Sequence, residues 1–134
     1  MVTVEEHKKS IDDLLKDIEE KIKNNLIVER QRLIGFAASE AACDLFAVLL
    51  HRKGLVSPGF NVNHRFFASD KKAKEKFNFD IPEKGRLLGL LVAQDAHRSK
   101  LCYGRGKEEN EVVKAIKNVY EIKSLVESIL GEVL

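Results

Sequence analysis

The side chains best placed to do chemistry in this chain are an arginine and a set of acids. Winding residues 87–103 at about 100° per residue puts Leu87, Leu90, Leu91, Leu101 and Cys102 within roughly 60° of one line. Arg98 falls about 20° from that same line. A guanidinium keeps its charge when buried. An arginine on an oily face therefore requires a carboxylate, a phosphate or a subunit interface. The acids available are Asp95, one turn earlier, and Glu40 and Asp44 on a preceding segment. Glu40 and Asp44 each lie within about 20° of His51 on a helical wheel, forming one polar seam. That seam and Arg98 read as complementary halves.

Two chemistries fit. In the first, Arg98 pairs with Glu40, Asp44 or Asp95 and fixes helix register. In the second, it binds an anion such as a phosphate bidentately. The stretch His97–Lys107 holds Arg98, Lys100, Arg105 and Lys107 without an acid, and Arg65–Lys76 is also basic on balance. Such runs serve local anion binding or simply form solvated surface. A net charge of +2 gives no global electrostatic case for nucleic acid.

Other constellations are poorer. Glu40, Asp44, His51 and His97 could ligate a metal, but no acid has a histidine three residues on, as di-iron bundles require. No metal and no cofactor are expected. Cys102 or Ser99 sits too close in sequence to His97 for a nucleophile–base pair on one helix. His64, within Asn61-Val62-Asn63-His64-Arg65, either caps the following turn or contacts a ligand. Tyr103 is either core edge or a ring beside a bound base.

The elements that must carry these residues are helical. With 44% apolar and 33% charged residues, the chain suits a folded domain spanning residues 1–134 rather than a disordered or membrane-bound one. The runs Leu45–Leu50 and Leu87–Ala93 fall far short of the ~20 residues that span a bilayer. The start, MVTVEEHKK, has no apolar leader, and Cys43 and Cys102 lack CxxC spacing. A cytoplasmic location follows as an expectation.

Thr3 and Glu6 form a capping box for a first helix that ends or bends at Asn24-Asn25. A second, apolar nearly all round, runs from about Ile27 to Lys53 with Gly54 as its stop. Residues 54–68 form a connecting loop, and Ser69-Asp70 caps a short helix over Lys71–Phe77. A fourth helix starts near Asp80 and stops at Gly104-Arg105-Gly106. The last begins around Glu108 and Glu109. The predicted fold is all-α, an up-and-down bundle of four long helices plus one short one.

Ala38-Ser39-Glu40-Ala41-Ala42-Cys43-Asp44-Leu45-Phe46, ending at His51-Arg52-Lys53-Gly54-Leu55, resembles the second-helix segment of HEPN proteins (higher-eukaryote and prokaryote nucleotide-binding domains). The loop histidine His64 and the segment Arg98-Ser99-Lys100-Leu101-Cys102-Tyr103-Gly104 are similar to features of the small stand-alone prokaryotic and archaeal members. The resemblance covers roughly residues 30–130. It implies a dimerising helical bundle whose fourth helices line a cleft between subunits. It also implies a nucleotidyltransferase partner in a toxin–antitoxin-like module. Ribonuclease members carry a histidine four to six residues after the arginine. The corresponding window, Cys102 to Gly104, has none.

The expected function is a HEPN-like homodimer that binds a nucleotide or RNA phosphate through Arg98, assisted by Lys100, Tyr103, Arg105 and His64, without established catalysis. A structural interaction module, with Arg98 in a buried ion pair, is the alternative. A weak metal-independent ribonuclease using His97 or His64 comes third.

Overall fold

A computed structural model describes residues 2–134 and is all-helical among them. α1 spans Val4–Lys23, α2 Gln31–Arg52, α3 Asp70–Lys76, α4 Lys84–Cys102 and α5 Glu109–Leu130, with a single 3₁₀ turn over His64–Phe67. Four long helices and one short one therefore form the bundle that the periodicity predicts.

α1 starts where its side chains stop it from fraying. The Thr3 side chain accepts from the Glu6 backbone N–H, and the Glu6 side chain accepts from the Thr3 backbone N–H. α2 begins later than its apolar pattern suggests, because residues 27–30 are spent on turns. α4 also begins later. Its N-cap is Glu83, in the left-handed region at φ 58°, and Pro82 lies in the turn before it.

α2 packs against α1, α4 and α5, which accounts for a helix with apolar residues on nearly every side. By length and composition alone Gln31–Arg52 could cross a membrane, but 78% of its most apolar stretch is buried within the bundle. The exposed exceptions are Arg32, Leu33 and Phe36 near its N-terminal end and Arg52 at its last turn.

α2 and α4 cross at Gly35. A Cβ there would lie 2.8 Å from Leu101 Cβ and 3.2 Å from Cys102 Sγ, so only glycine permits the approach. α4 and α5 are locked in register by amides. The Gln94 side chain donates to the Ala115 carbonyl at 3.1 Å. Asn118 donates to the Leu90 carbonyl at 2.9 Å and to Gln94 Oε1 at 2.8 Å.

The segment between α2 and α3 is anchored by phenylalanines. Phe67 is buried and packs on Phe46 and Phe77, with ring centroids 5.8 and 5.7 Å away. This holds the 3₁₀ turn against α2 and α3, and the turn also touches α4.

Candidate functional site

Three elements converge around the exposed edge of the α2–α4 crossing. α2 supplies Arg32, Phe36 and Glu40, α4 supplies Asp95, Arg98 and Cys102, and the 3₁₀ turn supplies His64, while Asp44 of α2 is turned to α1.

Arg98 is half-buried. Its Nε is shielded from solvent and has no hydrogen-bond partner. Its guanidinium carbon sits 5.6 Å from the centroid of the Phe36 ring, a cation–π arrangement on a ring that is 47% exposed. An arginine amid leucines on one helical face thus reaches the rim of the bundle instead of its centre, carrying its charge outward along its own alkyl stem.

Two of the three expected counter-ions are engaged elsewhere. Asp44 accepts from Ser10 Oγ at 2.7 Å and lies 2.7 Å from His7 Nδ1. Asp95 lies 2.8 Å from His64 Nδ1. Glu40 is half-buried on α2 between Phe36 and Asp44. Among the described residues no ion pair within 4.0 Å joins Arg98 to any of the three, so the predicted buried salt bridge is absent. The physical reason is competition. Two histidines from other elements reach Asp44 and Asp95, and the guanidinium stacks on Phe36 rather than pairing with Glu40.

The groups remain close enough to share a field. The buried Cys43 thiol is pushed well above its ordinary range, first by desolvation and then by the carboxylates of Glu40, Asp44 and Asp95, with Arg98 opposing them. The Cys102 thiol is also raised by desolvation, against the cations of Arg98 and Arg32. Neither thiol is an activated nucleophile.

The remaining predicted residues divide. Tyr103 ends α4 in an extended conformation and is 63% exposed, which places its ring on the surface rather than at the core edge. Lys100 turns toward α5 and pairs with Glu111 at 3.5 Å, away from Arg98. Arg105 is exposed in the α4–α5 connection, where its carbonyl accepts from Lys107 Nζ. His64 does not cap the turn that follows it. Asn63 does, its Oδ1 accepting from the Arg65 backbone N–H at 2.9 Å.

His97 faces the α5 side, near Lys100, Glu111 and Lys114. Burial, then the Lys100 cation, holds it below the ordinary histidine range. His51 Nε2 donates to the Phe60 carbonyl at 3.0 Å, and its ring stacks on His7 at 6.1 Å between centroids. No metal-binding group of three or more His, Cys, Asp or Glu forms among the described residues.

Two contributors are not evident from the sequence pattern. Arg32 reaches across to the Gly104 carbonyl at 3.3 Å, bringing a second guanidinium to the C-terminal end of α4. Its linear signal is a cationic position in the first turn of α2, away from the polar seam of Glu40, Asp44 and His51. Nothing in the sequence pairs His7 with Asp44, which lie 37 residues apart.

No family model, curated protein or solved structure matches the chain.

Proposed function

We propose that this chain is a HEPN-like helical protein that binds a nucleotide or an RNA phosphate at the Arg98 edge of the α2–α4 crossing. One observation carries the reading. Arg98 has a shielded, unpaired Nε and no ion pair with an acid, while Asp44 and Asp95 are already bound by other groups. The shielded Nε is out of reach of a ligand, but the terminal Nη groups of the same guanidinium have no partner among the described residues and can donate to a phosphate oxygen. Arg32 adds a second cation at the same end of α4. Phe36 and Tyr103 offer exposed rings on which a base can stack. Arg105 lies in the adjoining loop.

Exposed Leu33 and Phe36 beside this edge favour a second copy of the chain covering part of it, giving a homodimer with the site at its rim. A cytoplasmic nucleotidyltransferase partner is proposed on the HEPN resemblance alone.

The test uses thermal stabilisation by AMP and by short single-stranded oligouridylate, with wild type and Arg98→Ala. The variant is expected to lose about 30-fold in affinity, equivalent to about 2 kcal/mol for a charged hydrogen-bonded contact. Its melting point without ligand should fall by no more than a few degrees, because the change removes stem packing and the Phe36 contact but no ion pair. Absence of stabilisation of wild type by either probe overturns the reading. A melting point lowered by many degrees in Arg98→Ala would favour a structural role.

A further inference from the structure

A second concentration of positive charge lies on the 3₁₀ turn and α3, and nothing in the fold neutralises it. Residues 65–76 hold five cations (Arg65, Lys71, Lys72, Lys74 and Lys76) against two acids (Asp70 and Glu75). Their net charge is +3 in a chain whose total is +2, so all the other residues together sum to −1. The five cations are exposed, and among the described residues none lies within 4.0 Å of a carboxylate. Lys72 and Lys76 stand four residues apart on α3, a like-charge pair that weakens the helix carrying it. A helix of seven residues has little stability of its own, so an anion settled on this face tightens it.

These residues also line a groove. Arg65, Phe66, Lys72, Glu75 and Lys76 border a cavity of about 410 Å³ between the 3₁₀ turn and α3, within the size range of ligand-binding clefts. Its aromatic wall is fixed in place. The Phe66 ring stacks on Phe60 with centroids 6.1 Å apart and meets the buried Phe77 edge-on at 5.8 Å. Lys76 Nζ lies 4.8 Å from the Phe66 centroid and 5.3 Å from that of Phe60. Ala73 is buried, so α3 is anchored by its inner face while its lysines stay in solvent.

The groove discriminates among anionic partners. A nucleic-acid strand needs free ring faces for its bases. Phe66 is instead engaged by Phe60, Phe77 and the Lys76 ammonium, and Glu75 interrupts the run of cations. An anionic membrane is held by an apolar face as well as by charge, and no large hydrophobic side chain is exposed over residues 57–81. We propose that the groove between the 3₁₀ turn and α3 docks an acidic peptide segment that carries one apolar anchor. Its spaced carboxylates pair with Arg65, Lys72 and Lys76, and its anchor lies against Phe66 and the Lys76 stem. This site shares no residue with the Arg98 edge and does not rest on the phosphate-binding reading.

The experiment follows the fluorescence anisotropy of a labelled peptide of aspartates and glutamates with one central leucine, titrated with the whole chain. Wild type is expected to bind it, and binding should weaken as sodium chloride is raised. Replacing the peptide's leucine by serine should lower affinity about fivefold, the loss of part of one buried apolar side chain. Lys72→Glu combined with Lys76→Glu should lower it at least about tenfold. Arg65→Gln combined with Lys72→Gln leaves the Lys76 contacts with the phenylalanines in place and should lower it about threefold. Lys53→Glu combined with Lys117→Glu makes the same change in net charge at exposed positions elsewhere and should alter affinity less than about twofold. Circular dichroism checks that each variant keeps its helices. No binding by wild type, an equal loss in the Lys53 and Lys117 variant, or indifference to the leucine overturns the site. Binding of oligouridylate or of phosphatidylserine vesicles that is tighter than that of the peptide, and is lost in the Lys72 and Lys76 variant, also overturns it and gives the surface to nucleic acid or lipid.

Discussion

His7 Nδ1 lies 2.7 Å from Asp44 Oδ1, joining the first turn of α1 to the middle of α2. The same carboxylate accepts from Ser10 at 2.7 Å, so one half-buried acid ties two consecutive turns of α1 to the central helix. His7 is 6% exposed. This small network takes from Arg98 an acid that sits on the correct face of α2.

Asp44→Ala leaves His7 and Ser10 without their acceptor inside the α1–α2 interface. Removing the carboxylate that accepts from two partly buried donors, each hydrogen bond to a charged group contributing about 1.5 kcal/mol or more, costs about 3 kcal/mol. The melting point should fall by roughly 10 °C for a chain of this size. Asp44→Asn, which keeps one acceptor oxygen, should lose less than half as much. Asp13→Ala removes a surface contact with Lys9 and should be nearly neutral. Thermal and urea unfolding of the three variants check the order.

Gly35→Ala places a methyl group 2.8 Å from Leu101 Cβ, an atom fixed to the α4 backbone. The helices must separate, at a cost of about 1–3 kcal/mol. Better helix propensity returns at most about 1 kcal/mol. The expected result is a net loss of stability, together with disruption of the Cys102 Sγ to Arg32 carbonyl contact at 3.4 Å. Urea midpoints report the first effect. Faster alkylation of Cys102 by iodoacetamide reports the second.

His97 gives a pH dependence whose sign is fixed. Its folded value lies below the ordinary one, because burial and then Lys100 disfavour the imidazolium. The unfolded chain therefore binds the proton first as pH falls. The contribution to stability is complete above the ordinary histidine value, near 6.5, and is lost as pH drops through the window beneath it. His97→Gln should flatten the urea-midpoint curve in that window. An unchanged slope would show that another group sets it.

Helix existence was legible in the chain because local rules govern it. The Thr3–Glu6 box, the Ser69 cap and the apolar spacing of α5 act within a few residues, and each appears where the pattern places it. Starts were less legible. α2 and α4 both begin several residues later than their apolar patterns imply, since turn formation before Gln31 and the left-handed Glu83 consume the intervening residues.

What the linear order of residues determined by itself is an all-helical bundle with a nearly all-apolar central helix, and an arginine that had to find a partner or an edge. Only the tertiary arrangement decided which groups meet. His7 reaches Asp44 across 37 residues, and His64 reaches Asp95 across 31. A helical wheel fixes the direction of a side chain but not the distance to groups on other helices. Carboxylate partners are therefore set by packing depth at crossings such as Gly35 against Leu101.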